Sequence, residues 1–526
     1  MNLSPKRLFV VALFLGWLVD FLFWKQAPGL NFALFALLSL LAGFALLLSA
    51  GLRPARATLL LLPPFAFLAL MTFIRQEPLT SFVNYLLTLL LMSLVAVTYL
   101  GGRWWEYSFL DYLRNFLRLA GSLFFRPWGW IGQLRGDPTE SPAAKRRWLW
   151  PLVRGVLLAL PVVVVFASLL ASADLVFNQR LQSFINLFNL QNLPEYLFRL
   201  GYILAAAYAL SGVYLHAASQ SSDEFLADKT RPLIPPFLGF VEASVVLGSV
   251  VLLFASFVLI QFQYFFGGQA NIHLDGFTYS EYARRGFGEL VAVAFFSLLL
   301  LFVLAAITRR QSELQRRIFS ALASGMVALV LVILASAYQR LSLYEAAYGF
   351  SRLRTYTHVF LVWLGLLLMA TIVLEILRKE RAFPLSILIT ALGFAVSLNL
   401  LNVDAFIVQR NIARTLEDRK VALDTPYFLT LSDDAIPPLS AALQTPTLPD
   451  TVKEALTATL VCFRAQRTPA DSYPWPSFHF ARLAADRALQ RLQPVLEQYQ
   501  LLTTNGEWTV TSPAGNTYPC SPAYAD

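Results

Sequence analysis

Three polar stretches interrupt an otherwise apolar sequence, and they hold most of the side chains able to do chemistry. They are YSEYARRGFGE at residues 279–289, SAYQRLSLYEAAYGFSRLR at 336–354 and NLLNVDAFIVQRNIAR at 399–414. Arg284, Arg285, Arg340, Arg352, Arg354 and Arg410 carry planar guanidinium forks, which suit phosphate or carboxylate oxygens. Glu281, Glu345 and Asp404 could pair with these arginines, or accept a proton from a docked substrate hydroxyl. Tyr344 and Tyr348 stand among them. One possible arrangement is a collar of salt bridges that fixes loops and tail onto helices. Another is a collar that converges on an anion, and a third is a set of separately solvated charges. Sequence leaves all three open.

Asp20, Arg154 and Glu242 form a second group. Each lies inside an apolar run, where a charge needs a partner or a wet cavity. Arg154 and Glu242 fall at matching depths and are expected to pair, with a proton or ion path as the alternative. Asp20, near a helix end, could reach the headgroups. Cys462 and Cys520 both lie towards the C-terminus, and either form one disulfide or remain thiols. With 2 cysteines and 4 histidines, all scattered, there is no CxxC or HExxH motif. Neither a metal nor a cofactor is expected, and no nucleotide-binding loop or nucleophile elbow is visible.

What must position these residues is a set of membrane helices. The chain is 57% hydrophobic and only 14% charged, with a mean hydropathy of +0.59, whereas soluble domains are about 25% charged. Such a chain cannot cover a soluble surface, so the lipid bilayer is its expected partner. The net charge of +9 raises nucleic acid as a class, but positive charge also orients membrane proteins; no nucleic-acid binding is expected. Apolar runs lie near residues 8–24, 30–52, 57–74, 80–100, 149–173, 196–217, 236–263, 288–307, 318–338, 357–377 and 384–402. They predict an all-α polytopic membrane protein with about eleven spans. The first run resembles a signal sequence but has no small-x-small cleavage site, so it reads as a span.

Placing the N-terminus in the cytoplasm makes Lys and Arg roughly twice as frequent in cytoplasmic loops as in the opposite ones, as the positive-inside rule requires. The three polar stretches and the C-terminus then lie outside the cytoplasm. Residues 103–130 and 178–196 have the amphipathic pattern of helices lying at the lipid surface. The expected divisions are N-terminal spans at 1–102, a basic cytoplasmic loop at 103–148, a transmembrane core at 149–403 and a small, mainly α extracytoplasmic domain at 404–526. In that last domain, Asp424, Ser432 and Asp450 read as helix caps. A longer helix is predicted over 478–500, bent or ended by Pro494. Asn505-Gly506 before alternating Trp508–Thr511 predicts a terminal β-hairpin.

YSEYARRGFGEL, AYQRLSLYEAAYGFSRLRTYTHVFLVWLG, LNLLNVDAFIVQRNIAR and LDTPYFLTLSDDAIPPL together resemble a bacterial multi-pass membrane family. It is the domain of unknown function 4173, with its sibling 4153. The resemblance covers residues 230–445. One departure is Val403 before Asp404, where the family pattern implies a proline. The resemblance implies a multi-pass protein of a bacterial inner or plasma membrane, and no activity.

Three classes of function remain. A non-enzymatic scaffold, sensor or binding protein fits the lack of catalytic motifs. An outer-leaflet transferase acting on a lipid-linked phosphate would use the collar arginines as its phosphate site. A transporter would use the intramembrane charges. An anionic lipid or an envelope ligand is the expected small partner, and no protein partner is indicated.

Overall fold

Lipid offers a backbone no hydrogen-bond partner, so an apolar segment that crosses it must satisfy its own amides as a helix. The computed structural model describes residues 4–135, 155, 159, 163, 165–174, 176–181, 192–223, 236–266, 287–417, 423–504 and 507–521. Among them, eight helices are long and apolar enough to cross a membrane. They are α2 (Leu30–Ser49), α4 (Pro78–Thr98), α6 (Leu193–Ser219), α7 (Phe240–Phe266), α8 (Phe287–Ile307), α9 (Glu313–Tyr348), α10 (Arg352–Ile376) and α11 (Phe383–Leu401). Of the other predicted spans, α1 (Pro5–Phe23) carries Lys6, Arg7 and Asp20. The run at 57–74 folds as a short 3₁₀ turn followed by α3 (Leu62–Ile74). About half of the run at 149–173 lies outside the described residues. The chain is therefore a multi-pass membrane protein by its apolar helices; eight of them among the described residues are long and apolar enough to span, and the expected eleven are not all found there.

By its internal packing the chain divides into two units. The first comprises Met1–Trp24, Ser39–Arg53 and Phe116–Ser221. Within it α1 packs along α6 at close range. A Cβ on Gly16 would stand 2.5 Å from the Ile203 carbonyl oxygen, so only glycine fits there.

The second unit comprises Lys25–Leu38, Pro54–Asn115 and Ser222–Asp526. Its membrane core gathers Leu247, Leu298, Phe319, Met326, Val330 and Leu368 from α7 to α10. Opposite faces stay uncovered by protein: Val241, Val245, Leu252 and Leu259 of α7 are exposed, as lipid-facing side chains would be. Helix α9 has 36 residues, about 54 Å at 1.5 Å per residue, against a hydrocarbon core of about 30 Å. The polar stretch at 336–348 is thus not a loop but the last turns of α9. Gly349, at φ +79°, turns the chain into α10; a Cβ there would also meet Arg414 and Asn411 at 2.7 Å.

Asn402, in the left-handed region at φ 51°, links α11 to α12 (Val403–Glu417). Asp424 accepts from the Tyr427 N–H, and Ser432 caps the turn Asp433–Ala435, as predicted. Then come α13 (Ile436–Ala442), α14 (Asp450–Gln466) and α15 (Phe480–Arg491). Asp450 is the first residue of its helix rather than the cap. The longer helix predicted over 478–500 stops at Arg491, and Pro494 lies in a separate turn, Gln493–Leu496. The expected hairpin is β1 (Gln500–Thr504) with β2 (Glu507–Thr511), to which β3 (Thr517–Pro519) adds a third antiparallel strand. Val510 from β2, Cys520 just after β3, Leu456 and Val461 from α14, and Ile407 and Val408 from α12 share one buried core.

The predicted surface helix at 103–130 appears as α5 (Phe109–Arg135). Phe109, Leu113, Leu117, Phe124 and Trp128 stay exposed along it, while Asp111, Leu119 and Ser122 are buried. Most of the one predicted over 178–196 lies outside the described residues.

Candidate functional site: an ionic collar and its cleft

Arg352 opens α10 and Asp404 sits in the first turn of α12, so both side chains emerge at the same end of the second unit. Asp404 is fully buried. It accepts from Arg352 Nε at 2.7 Å and Nη2 at 2.6 Å, and from the Ser432 amide and hydroxyl at 2.7 and 2.6 Å. Arg352 Nη1 donates to the Thr430 carbonyl at 2.8 Å, and its backbone N–H donates to the Tyr427 hydroxyl. A buried carboxylate with this many donors is fully engaged. The pair fastens the segment at 427–432 to the helix bundle.

The ionic layer continues into α3 and α4. Buried Glu77 caps α4 by accepting from the Leu79 and Thr80 amides at 2.8 and 2.7 Å, and it accepts the Tyr356 hydroxyl proton. Two turns further along α4, Asn84 and Asn399 exchange amide hydrogen bonds at 3.0 and 2.7 Å, both fully buried. Arg75 Nε donates to the Asn399 carbonyl at 3.1 Å. Asp434 accepts from the Gln76 amide at 2.8 Å and lies 3.7 Å from Arg75.

Burial pushes the Asp434 carboxyl up to about 6, against the pull of Gln76 and Arg75 and helped by Asp404 and Asp433. Burial, with Arg482 nearby, holds His479 down to about 4. Asp434 binds its proton more readily in the fold than unfolded, so its contribution to stability falls as pH rises from 3.8 to about 6. His479 binds its proton less readily in the fold, so its contribution falls as pH drops from 6.5 to about 4. The slopes oppose each other. Asp434→Asn should therefore give a melting temperature that climbs with pH across this window relative to the parent, and His479→Gln one that descends. Curves parallel to the parent would refute both assignments.

Beside the collar lies a cleft of about 650 Å³ between α9, α10 and α12, bordered by Tyr338, Glu345, His358, Phe406, Arg410 and Arg414. Glu345 Oε2 meets His358 Nδ1 at 2.8 Å, and His358 Nε2 lies 3.2 Å from the Ser342 hydroxyl. Glu345 Oε1 is buried and has no hydrogen-bond partner among the described residues. Arg414 donates to the Ala347 carbonyl at 2.5 Å.

The remaining predicted residues divide. Arg354 donates to the Tyr348 carbonyl at 3.2 Å and to the Gly349 carbonyl, and lies 4.2 Å over the Tyr344 ring, which packs on Tyr348. Arg410 stacks on Phe406 at 5.3 Å. Arg340 is half-buried on α9. Arg284, Arg285, Glu281 and Arg154 lie outside the described residues. Glu242 is exposed at the start of α7 and accepts from the Gly239 amide at 2.7 Å, so it caps its own helix. Asp20 does not reach for headgroups: it is buried and takes a bidentate clasp from Arg199 Nε at 2.9 Å and Nη2 at 2.5 Å. Cys462 and Cys520 are joined in a disulfide.

Arg75, Glu77, Arg199, His358 and Asp434 are absent from the sequence-based selection. Arg199 could have been found by the rule that singled out Asp20, since it too stands inside an apolar run. Arg75 and Glu77 look like an ordinary link between helices, and nothing local announces their distant partners.

The family model described as Domain of unknown function (DUF4153) matches residues 62–442. No curated protein and no solved structure matches the chain. The match starts well before the quoted motifs, at the first residue of α3, and takes in Arg75, Glu77, Arg352, Asp404 and Asp434. It falls on the sibling, 4153, rather than on 4173. Spanning more than half of the sequence and every partner in the ionic layer just described, it makes the chain a member of the DUF4153 family.

Proposed function

We propose that the chain is a membrane scaffold or binding protein, without chemistry of its own, that presents its C-terminal domain outside the cytoplasm. The engagement of Arg352 is the observation that supports this. The fork that would clamp a phosphate is closed on Asp404, so the collar holds the fold together and leaves ligands to the adjoining cleft. The orphan oxygen of Glu345, with Arg410 and Arg414 across the cleft, suits a small polar ligand carrying both donors and acceptors. The transferase alternative needs a free carboxylate beside free arginines; Asp404 is already engaged with Arg352 and Ser432, so that reading would have to use Glu345 with Arg410 and Arg414 in the cleft instead. Of the intramembrane charges that a transporter would use, Asp20 is closed on both oxygens by Arg199 and Glu242 caps its own helix, while Arg154 lies outside the described residues.

The orientation rests on charge and on sulfur. Arg309, Arg310, Arg316, Arg317, Arg378 and Arg381 cluster at the end of α9 and α10 away from the collar, the cytoplasmic end by the positive-inside rule. The disulfide suits an oxidising compartment at the other end. Helix α5 would then lie on the inner leaflet of a bacterial plasma membrane.

Replacing the pair by neutral partners, Arg352→Gln with Asp404→Asn, separates the readings. A structural collar predicts that a double variant which still assembles will restore whatever growth or envelope defect follows deletion. A double variant that melts like the parent yet restores nothing would show that the pair acts on a ligand.

A further inference from the structure

At the far end of α9 and α10 from the collar lies a second and larger cavity, of about 1090 Å³. Arg310, Arg316, Arg317, Arg378, Lys379 and Arg381 border it, with only Glu106 and Glu375 as acids. Loop charges that merely orient a protein need only be on one side of the membrane. Here six cations from two helix ends converge on one concave surface, where low-dielectric walls focus their field.

The backbone at Arg378 is informative. Helix α10 ends in a Schellman motif: the Lys379 amide donates to the Leu374 carbonyl at 2.8 Å and the Arg378 amide to the Glu375 carbonyl at 3.1 Å. Arg378 occupies the left-handed position at φ 57°, which normally belongs to glycine because a Cβ there is strained. The fold tolerates a strained arginine where glycine would be easier, which points to its side chain. That guanidinium reaches Glu313 at the start of α9, and Glu313 also meets Arg317 at 3.6 Å. One carboxylate thus gathers two of the cations at the rim. The Ser324 hydroxyl, buried in the cavity wall, has no hydrogen-bond partner among the described residues.

We infer that this basic cavity binds a phosphate-bearing anion. Guanidinium forks match tetrahedral phosphate oxygens, and a cation excess of this size suits a group that carries more than one negative charge. An anionic lipid headgroup and a soluble phosphate compound present the same chemistry. The inference is independent of the collar reading, because no residue is shared.

The full-length protein in phosphatidylcholine nanodiscs, with and without phosphatidic acid, tests the lipid source by native mass spectrometry of retained lipid. Pyrophosphate titrated into phosphatidylcholine-only nanodiscs, followed by calorimetry, tests the soluble source. Two variants accompany the parent: Arg378→Gly, which relieves the backbone while removing a cation, and Arg316→Gln with Lys379→Gln. Each is expected to weaken the bound probe about tenfold, and Arg378→Gly should melt no lower than the parent. Retention of phosphatidic acid lost in both variants assigns a lipid headgroup. Pyrophosphate binding lost in both assigns a soluble ligand. Binding of neither probe, or binding that both folded variants keep, overturns the proposal.

Discussion

Asp404→Ala should destabilise the protein by about 3–5 kcal/mol, because it leaves a largely buried guanidinium without its counter-charge. The Ser432 amide and hydroxyl lose their acceptor in the same step. The segment at 427–432 should then detach from α10 and α12, and protease should cut there first. Asp404→Asn keeps an acceptor for the Ser432 amide and should cost less than the alanine. Combining Asp404→Asn with Arg352→Gln should recover part of the loss, since neither member is then a lone buried charge. The measurement is thermal unfolding in detergent together with limited proteolysis. An alanine variant that melts with the parent and shows no new cleavage would mean that the pair holds nothing.

Removing the disulfide is the second large effect. Cys462 and Cys520 are 58 residues apart, and closing a loop of that length restricts the unfolded chain by about 4 kcal/mol. The bridge pins β3 to α14, where the Gln466 side chain also donates to the Cys520 carbonyl at 2.6 Å and the Cys520 amide to the Trp508 carbonyl at 2.9 Å. Cys462→Ser with Cys520→Ser should lower the melting temperature, and reductant should do so in the parent but not in the double variant. The parent should also migrate differently with and without reductant. An unchanged mobility would argue against the bond in the cell-derived protein, and with it against an oxidising location for this domain.

Apolar length made eight membrane helices legible, because crossing lipid imposes a length that composition alone reveals. It misplaced the boundary of α9. Hydropathy reports where lipid ends, and the helix runs on through Tyr338–Tyr348 because residues such as Leu341, Leu343, Glu345 and Ala347 favour helix in water as well. The collar was legible as a set of residue types. Its pairing was not: Arg352 could have met any of three acids, and only the turn at Gly349 and the bend at Asn402 bring it to Asp404. Arg75 and Asp434 were invisible for the same reason, since 359 positions separate them. For the cysteines the partner was legible, because two of them allow one pairing, but whether they pair at all was not.

The mutual amide clasp of Asn84 and Asn399 has a consequence for how α4 and α11 find each other. Each amide is a template for the other, and sliding either helix by a residue would break both cross-helix bonds and leave buried amide groups unpaired. The clasp therefore sets the register of two helices whose contact residues are 315 positions apart. A bundle assembled from such segments can reject a near-miss docking before the loops and the tail close over it.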